Sequence, residues 1–325
     1  MSDPLISVLI PVYNVAKYLS KCLLSVEKQS YIHTEILIYD DGSDDGSEKI
    51  CDDFVANHSN AQVFHFSNRG QAHARNFLID HARGEYFVFV DSDDIIAPDY
   101  ISTLYRLVKK YHCKVAVTSL QTFHEGDSFA VKKRKYEEKI LTPMKAVELM
   151  NYQVKFDTWP VCKLYHRSIF TSGIRYPEKK IFEDFAITYL LLFQSDRVAY
   201  CNKVSYFYLL RPTSTEGASF SEKKMDGALE VIHSFDEHME LLTPIIKSYQ
   251  CRMVSFACYL LLKMPRDYKN SDVIVNLLIK NRRTVLLDYK ARPKARVASV
   301  LSYMGFPFLK WVYSFIDSRK NKLNS

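Results

Sequence analysis

Short apolar runs alternate with amphipathic stretches along the first 120 residues. The apolar runs are near-continuous and rich in β-branched residues, as is typical of strands covered on both faces. The predicted strands are 5–10, 35–39, 62–66 and 85–90, and the predicted helices between them are 15–29, 43–56 and 71–82. This alternation predicts βαβ units and therefore an α/β fold with a doubly wound, mostly parallel sheet.

The remainder of the chain changes from mixed to purely helical periodicity. A helix at 98–111 and a strand at 114–119 are followed by a polar stretch at 121–138, which includes Lys132-Lys133-Arg134-Lys135 and predicts a loop or short hairpin. Further elements are predicted at 182–193 (helix), 204–210 (strand), and 222–242, 245–264, 272–288 and 295–317 (helices). We expect a domain at 1–218, with halves 1–120 and 121–218, and a helical C-terminal region at 219–325.

The positive charge of the chain is concentrated near its C-terminus. The formal net charge is +7, but residues 280–325 alone contain eleven Lys and Arg against Asp288 and Asp317. The preceding residues are therefore slightly acidic in sum. Since the basic segment contains no recognisable nucleic-acid-binding module, we expect no nucleic-acid partner.

The cysteines indicate neither a disulfide framework nor a thiolate metal site. Seven cysteines are scattered along the chain, and no two are closer than seven residues. A reducing cytosol fits this pattern best. The N-terminus has no basic region before an apolar run, so we expect no signal peptide.

Polar residues follow each of the first four predicted strands. The four segments are Pro11-Val12-Tyr13-Asn14, Asp40-Asp41-Gly42-Ser43-Asp44-Asp45-Gly46, Asn68-Arg69-Gly70 and Asp91-Ser92-Asp93-Asp94. In a parallel α/β sheet, ligands bind beyond the carboxyl ends of the strands. We therefore expect these segments to converge on one edge of the sheet and to form a binding site.

The segment with the strongest chemical signal is Asp91-Ser92-Asp93-Asp94. Alternate carboxylates on an extended turn can bind a hard divalent cation together with a ribose or diphosphate oxygen. Three carboxylates directly after a buried strand are also costly unless they are neutralised, as a metal ion would do. The alternative is that Asp93 or Asp94 only caps the following helix.

Two further segments are ambiguous by themselves. Asp40-Asp41-Gly42-Ser43 could be a turn with a helix cap, or it could provide a carboxylate that accepts the imide hydrogen of uracil. Arg75 lies within a predicted helix and could direct its guanidinium at a phosphate or a base. The alternative for Arg75 is an ordinary solvated side chain.

In their order and spacing, these segments resemble family 2 glycosyltransferases with the GT-A fold, of the bacterial capsule, exopolysaccharide and cell-wall glycan type. The resemblance rests on the four polar segments together with Ala74-Arg75-Asn76 and Gly84-Glu85-Tyr86. It is strong over the first 120 residues and weaker to residue 217. It implies a UDP-sugar donor, a divalent Mn²⁺ or Mg²⁺ ion and a glycan acceptor.

The resemblance also implies roles for individual residues in the first half. Asp91 would contact the ribose and Asp93 the metal ion, so that the two form the metal-binding DXD motif. The other residues assigned to nucleotide-sugar binding are Pro11, Tyr13, Asn14, Asp41, Arg75 and Ser92. Among them, Pro11, Tyr13 and Asp41 would line the uridine pocket, with Arg75 helping to hold it.

Two segments of the second half resemble the acceptor side of the family. Trp159-Pro160-Val161-Cys162-Lys163 would contribute Trp159 and Lys163, and Phe182-Glu183-Asp184-Phe185 would contribute the catalytic base Asp184, with Glu183 as its neighbour or substitute. An inverting transfer needs such a carboxylate opposite the leaving group. Alternatively, Glu183 and Asp184 only stabilise a helix N-terminus, and Trp159 is a core residue.

Arg211 is a further candidate from the resemblance. The segment from Tyr208 to Ser214 resembles one in which an arginine reaches the donor diphosphate. No covalent intermediate is required for such a reaction.

The C-terminal segment suggests a membrane surface rather than a membrane span. Residues 295–316 are largely apolar, but Lys310 interrupts them and Gly305 and Pro307 weaken a straight helix. An interfacial helix fits better, with Trp311, Tyr313 and Phe315 near anionic headgroups. This would place a cytoplasmic protein at the inner face of the cell membrane, close to a lipid-linked acceptor. The alternatives are a helix packed on the first domain and an interface in a homo-oligomer.

Three other functions agree less well with the sequence. A haloacid-dehalogenase-type phosphatase would carry Thr or Val two residues after the second Asp of its motif, usually near the first strand, whereas the motif here follows the fourth run. A nucleotidyltransferase would carry a glycine-rich basic loop early in the chain. A non-catalytic nucleotide-sugar or membrane-binding scaffold would not need both Asp93 and Asp184.

Overall fold

The computed structural model describes residues 3–127, 129, 131, 135–178, 181–211, 221–265 and 268–323. The chain divides into two compact units: unit 1 contains Met1–Val147 and Thr158–Gly217, and unit 2 contains Glu148–Asp157 and Ala218–Ser325. The predicted domain limit at residue 218 and the basic residues Lys132, Lys133 and Arg134 lie outside the described residues.

Unit 1 is built around one mixed β-sheet. Within the described residues its strands are Ile6–Val12 (β1), Thr34–Asp40 (β2), Ala61–His65 (β3), Tyr86–Phe89 (β4), Ile95–Ile96 (β5), Val115–Phe123 (β6), Glu138–Leu141 (β7), Lys163–His166 (β8) and Val198–Leu209 (β9). Their order is β3-β2-β1-β4-β8-β6-β9-β5, and β7 also pairs with β9. The predicted α/β sheet is confirmed, and the four strands predicted first form its parallel half.

The strand directions bring distant segments to one edge of the sheet. β8 is antiparallel to both β4 and β6, so β6 runs in the same direction as β4. β9 is parallel to β6. The carboxyl ends of β1, β2, β4 and β9 therefore meet at the same edge, where ligands bind in open α/β sheets.

Pro11 lies inside β1, where a missing N–H group would normally weaken the sheet. Leu9 directs its carbonyl toward β4, and Pro11, two residues later, directs its nitrogen to the same side. β4 ends at Phe89, opposite Leu9. β4 therefore has no residue opposite Pro11 that would need its N–H group, and the proline removes no hydrogen bond between the strands. On the other side, Pro11 still pairs with Tyr39 of β2.

One expectation about the strands was wrong, and three short strands were missed. β3 is an edge strand with partly exposed residues throughout, so it is not covered on both faces. The short strands β5, β7 and β8 were not predicted, because each has only two to four residues and is defined by partners far away in the chain.

The helices of unit 1 follow the predicted alternation. They are Ala16–Glu27 (α1), Ser47–Asn57 (α2), Gln71–His81 (α3), Tyr100–Tyr111 (α4), Pro143–Asn151 (α5, which continues into unit 2) and Glu183–Phe193 (α6). α4 begins at Tyr100, so neither Asp93 nor Asp94 caps it and that alternative is wrong. α2 was predicted from residue 43 but begins at Ser47, because the preceding residues bind to the start of α1.

Unit 2 is helical, as predicted for the C-terminal region. Its helices are Glu222–Ser234 (α7), Met239–Leu242 (α8), Ile246–Lys263 (α9), Ser271–Leu287 (α10), Pro293–Ser302 (α11) and Phe306–Leu323 (α12). The single helix predicted at 222–242 is interrupted by a 3₁₀ turn at Asp236–His238. The single helix predicted at 295–317 is broken at Gly305, whose φ of 95° is left-handed, and Pro307 lies in the first turn of α12.

α9 forms the centre of unit 2 and packs against α10, α11 and α12. The segment Glu148–Asp157 joins these helices through ion pairs: Asp157 lies 2.8 Å from Arg252, and Glu148 lies 3.2 Å from Lys290. Within the described part of the chain, every helix is too short or too polar to cross a membrane.

Candidate active site

The residues Asp91-Ser92-Asp93-Asp94, which we call the acidic turn, directly follow β4. Each of its carboxylates has a different partner. Oδ1 of Asp91 lies 3.3 Å from Nη2 of Arg75, and Oδ2 of Asp93 lies 2.8 Å from Nε of Arg211. Two arginines from distant segments therefore offset the charge of this turn.

The third carboxylate, Asp94, is fully buried and ties the acidic turn to β9. Tyr206 donates its hydroxyl hydrogen to Oδ2 of Asp94 over 2.7 Å, and the Leu209 N–H group donates to Oδ1 over 2.8 Å. The same Tyr206 oxygen accepts a hydrogen bond from the Asp91 N–H group. Burial raises the pKa of Asp94 well above its usual range, and the charges of Asp91 and Asp93 raise it further. Asp94 therefore positions the turn and is not a free ligand.

Arg75 connects the acidic turn to the predicted catalytic pair. Its residue is 2% exposed, so the alternative of a solvated side chain is wrong. Nη1 lies 2.5 Å from Oε1 of Glu183 while Nη2 faces Asp91, and the guanidinium lies 5.4 Å from the ring centroid of Tyr176. One buried cation thus bridges two carboxylates that are 92 positions apart in the sequence.

Glu183 and Asp184 occupy the first turn of α6. Burial raises the pKa of Glu183; Arg75 opposes this shift, and Asp184 adds to it. Oδ2 of Asp184 accepts a hydrogen bond from Thr158 over 3.2 Å, and Oδ1 accepts one from the Phe185 N–H group. Their place at a helix N-terminus also agrees with the macrodipole alternative.

The residue before this pair has an unusual backbone. Phe182 adopts a left-handed conformation with φ of 62°, which is costly for a residue with a side chain. The conformation starts α6 abruptly, so that Glu183 and Asp184 are its first two residues. Strain of this kind is common where a side chain must be held for chemistry.

The residues predicted for the acceptor side form a small aromatic platform. Trp159 is half-buried, and its ring stacks on that of Tyr208 with centroids 6.0 Å apart and planes 10° apart. Lys163 is 1% exposed and donates a hydrogen bond to the Trp159 carbonyl. The structure therefore places Lys163 behind Trp159, where it fixes the loop.

The loops after β1, β2 and β3 are hydrogen-bonded to one another. The Asn14 side chain makes two hydrogen bonds of 2.9 Å with Asp44: Nδ2 donates to the Asp44 carboxylate, and Oδ1 accepts the Asp44 N–H group. The carboxylate of Asp41, which is buried, accepts the N–H groups of Arg69 over 2.7 Å and Gly70 over 2.9 Å. A carboxylate has about four lone-pair positions, so Asp41 retains capacity for a ligand.

Gly42 permits the close approach of these loops. Its φ of 77° is left-handed, and a Cβ atom there would lie 3.0 Å from the Asn68 nitrogen and the Phe66 carbonyl oxygen. Both the conformation and the space therefore require glycine. Beside these loops, Pro11 and Ser92 are buried, and Tyr13 is half exposed just after β1.

Asp45 and Ser47 cap the start of α1, a role that sequence reasoning missed. Asp45 accepts the Ala16 N–H group over 2.9 Å, and Ser47 accepts the Val15 N–H group over 3.0 Å. Burial acts to raise the pKa of Asp45, but its hydrogen bonds outweigh this and lower the pKa. Asp45 and Ser47 of this loop are thus explained by capping of α1.

His65 provides a pH-dependent link beside the loop after β2. Nδ1 of His65 lies 2.9 Å from Asp40 and Nε2 lies 3.1 Å from Asp52. Burial lowers the pKa of His65, but its hydrogen bonds to Asp40 and Asp52 outweigh this, so the net pKa is raised.

We expect His65→Gln to reduce the free energy of unfolding at about pH 6 and to have a much smaller effect at about pH 9. A raised folded-state pKa means that protonated His65 stabilises the protein fully below its unfolded pKa, and that this contribution is lost as the pH rises through the folded pKa. Urea denaturation of both proteins at the two pH values measures the difference. An equal loss of unfolding free energy at both pH values would show that the charge of His65 does not contribute to stability.

The donor set fits a metal ion that is shared with a phosphate ligand. Within the described ranges, no three His, Cys, Asp or Glu side chains are arranged to hold a metal ion by themselves. Mg²⁺ is usually bound through one or two carboxylates together with substrate phosphates. Asp91 and Asp93 match that pattern, and Arg211, whose guanidinium is a group able to bind phosphate, lies beside Asp93.

Comparison with known proteins gives consistent matches. The model of "Glycosyl transferase family 2" matches residues 7–173. The glycosyltransferase GlyG of Streptococcus pneumoniae serotype 4 is 30% identical over 241 residues, which are 72% of this chain and 79% of GlyG. The glycosyltransferase GlyA of the same organism is 32% identical over 237 residues, which are 71% of this chain and 34% of GlyA. The chain thus spans about a third of the length of GlyA.

A solved structure has a similar fold over nearly the whole chain. Residues 1–349 of TarS from S. aureus in complex with UDP have a TM-score of 0.67 to this structure. The match covers 95% of this chain and 91% of that chain at 20% sequence identity. At this identity the similarity is one of fold.

Proposed function

The chain belongs to glycosyl transferase family 2, and on that premise we propose that it transfers a hexose or N-acetylhexosamine from a UDP-sugar to a hydroxyl group of a glycan acceptor. The family and the GT-A fold that the sequence predicted are confirmed. The observation that carries the proposal is the bridge made by Arg75 between the acidic turn and the Glu183-Asp184 pair. It brings the acidic turn, which we propose binds the donor, and a candidate base into one site.

The donor would lie across the carboxyl ends of β1, β2 and β4. Pro11, Tyr13 and Asp41 would contact the uridine, and Asp41 would accept the uracil imide hydrogen with its remaining lone pairs. Asn14 would support donor binding by holding the loop that carries Asp44. Ser92 would support it as the buried residue between Asp91 and Asp93 in the acidic turn. Asp91 would contact the ribose.

A divalent ion, Mn²⁺ or Mg²⁺, would be held by Asp93 with Asp91 nearby. When bound, it supplies positive charge that offsets the charge developing on the diphosphate leaving group. Arg211 would add a second positive group on the same side. Arg75 would support this arrangement by fixing Asp91, not by direct contact with the base.

Asp184 would act as the general base. It would take the proton from the acceptor hydroxyl while that oxygen bonds to the anomeric carbon and the bond to the diphosphate oxygen breaks with its electron pair. Attack from the face opposite the leaving group inverts the anomeric carbon. Thr158 orients Asp184 through its 3.2 Å hydrogen bond, and Glu183 is held by Arg75 beside it.

The acceptor would be a bacterial surface glycan or its lipid-linked precursor. The stacked rings of Trp159 and Tyr208 form a flat surface on which a sugar ring could pack. Lys163 would contribute by holding the Trp159 carbonyl. Both curated relatives reported above are bacterial glycosyltransferases, which supports this class of acceptor.

Nucleotide binding tests the donor class. Calorimetry with UDP, GDP and dTDP in the presence of Mn²⁺ is expected to give the tightest binding for UDP. Asp41→Asn is expected to weaken UDP binding by about tenfold, since one hydrogen bond to the base is lost. Equal affinities for the three nucleotides would contradict the uridine assignment, and no binding of any of them would contradict the proposed donor class as a whole and favour a membrane-binding scaffold.

We further propose that unit 2 contacts anionic lipid through α12. Phe308, Trp311 and Phe315 recur at helical spacing, with ring centroids 5.8 and 6.0 Å apart. Trp311 is 61% exposed and Phe315 47% exposed, whereas Leu309 is buried. Tyr313 was predicted near the headgroups, but it hydrogen-bonds with the Cys258 thiol of α9 and so faces the helices. The aromatic ridge, in a segment rich in Lys and Arg, has the chemistry of an interfacial helix.

Vesicle sedimentation tests this surface. We expect binding to phosphatidylcholine vesicles that contain phosphatidylglycerol, and a loss of at least about tenfold in affinity for Trp311→Ser/Phe315→Ser. Ile32→Ser is the matched control, because Ile32 is an apolar residue of unit 1 that is 89% exposed. Equal vesicle binding by the ridge variant would contradict the proposal, and a dimer lost in that variant would assign the ridge to a second copy of the chain.

A further inference from the structure

Arg211 is paired with the carboxylate that would hold the metal ion. It follows the end of β9 by two residues, and Nε lies 2.8 Å from Oδ2 of Asp93. β9 runs in the same direction as β4, so this contact joins two segments that reach the same sheet edge from positions 118 residues apart. The Asp93 oxygen that contacts the guanidinium cannot bind a divalent ion at full strength at the same time.

The two arginines of the site are held very differently. The Arg75 side chain is 3% exposed and has two carboxylate partners, Glu183 and Asp91. The Arg211 side chain is 22% exposed and, among the residues that the structure describes, its Nε–H group has no well-directed hydrogen-bond acceptor, although Asp93 is close. Its guanidinium also lies 5.6 Å from the ring centroid of Tyr18. The pair is therefore mainly coulombic, and Arg211 can leave Asp93 far more easily than Arg75 can leave its partners.

We propose that Arg211 exchanges partners during donor binding: it neutralises Asp93 in the nucleotide-free protein and moves to the donor diphosphate when a divalent cation binds to Asp93. This inference rests on the proposed function. Repulsion between the cation and the guanidinium drives Arg211 away, and the diphosphate receives it through charge-assisted hydrogen bonds. Arg211 thus competes with the metal ion and also links metal binding to nucleotide binding.

Two affinities are expected to change in opposite directions in Arg211→Gln. Without nucleotide, Mn²⁺ should bind about tenfold more tightly to the variant, because one positive charge beside Asp93 is removed. With Mn²⁺ at saturation, UDP should bind about tenfold more weakly, because its diphosphate has lost a cationic partner. An arginine that only stabilised the local fold would weaken both.

Electron paramagnetic resonance of free Mn²⁺ measures the first affinity, and calorimetry with UDP measures the second. Arg197→Gln is the matched control: it makes the same charge change immediately before β9, at the other end of the strand, and should alter neither affinity. Asp93→Asn should remove the Mn²⁺ binding. Mn²⁺ affinity in Arg211→Gln that equals or falls below that of the wild type overturns the exchange, even if UDP and Mn²⁺ bind to the wild type as proposed.

Mn²⁺ binding to the wild type distinguishes a failure of this inference from a failure of the proposed function. If Mn²⁺ binds to neither the wild type nor Arg211→Gln, with or without UDP, the metal requirement in the proposed function is wrong and the exchange is excluded with it. If the wild type binds Mn²⁺ and UDP but the variant shows no gain in Mn²⁺ affinity, only the exchange is excluded.

Discussion

Asp184→Asn is expected to slow sugar transfer by about 10²–10⁴-fold while the affinity for UDP with Mn²⁺ stays within about twofold. The amide has the size of the carboxylate, and its one oxygen can keep the hydrogen bond from Thr158 while that from the Phe185 N–H group is lost, so the loop should keep most of its shape. It cannot accept the acceptor proton. The effect therefore belongs in kcat and not in donor binding.

The matched control for this variant is Asp196→Asn. Asp196 is an exposed residue just after α6, so the same chemical change is made near the other end of the same helix. Transfer by Asp196→Asn should be unchanged. Near-normal transfer by Asp184→Asn would mean that Asp184 only stabilises the helix N-terminus, and Glu183→Gln would then be the variant to examine for the base.

Arg75→Met is expected to reduce the free energy of unfolding by about 3–5 kcal/mol and to abolish transfer. The substitution keeps much of the apolar volume but leaves Glu183 and Asp91 without the buried cation that faces both. An uncompensated buried carboxylate is the main cost. Urea denaturation of the wild type and the variant measures the loss.

A double substitution shows whether this cost is electrostatic. Glu183→Gln added to Arg75→Met should recover part of the lost stability, because one of the two uncompensated charges is gone. It should not recover transfer, since Asp91 remains unfixed. Arg197→Met, at an exposed position, should change stability little. No recovery in the double variant would mean that Arg75 acts by packing against Tyr176 rather than by its charge.

Local patterns were sufficient to predict the parallel half of the sheet and the segments at its edge. β1, β2 and β4 are buried and continuous, so their apolar runs stand out, and the direction of parallel strands brings the following polar residues together. The acidic turn could be recognised because three carboxylates directly follow a buried strand. The same logic failed for β3, because an edge position depends on which strands pair and not on local composition.

The partners within the site could not be predicted, because they are long-range. Tyr206 is 112 residues from Asp94, and Arg75 is 108 residues from Glu183. Nothing in the local sequence of either residue marks such a contact. The order β4-β8-β6-β9, which includes a four-residue antiparallel strand, brings the end of β9 to the acidic turn, and that short strand gives almost no periodic signal.

In unit 2, a helical pattern in the sequence did not show where one helix ends and the next begins. A 3.6-residue pattern continues through 295–317, but Gly305 adopts a left-handed backbone conformation that separates α11 from α12. Periodicity also could not place Tyr313, since α12 has apolar residues on two faces: Tyr313 contacts α9, whereas Trp311 and Phe315 are exposed.

The most direct test of the account is the release of UDP from UDP-sugars by the purified chain in the presence of Mn²⁺ and a mixture of glycan and lipid-linked acceptors. UDP-glucose, UDP-galactose and their N-acetyl forms should be compared for the wild type, Asp93→Asn and Asp184→Asn. We expect metal-dependent release from one donor by the wild type and its loss in both variants. Release that persists in both variants, or release from GDP- or dTDP-sugars in place of every UDP-sugar, would contradict it.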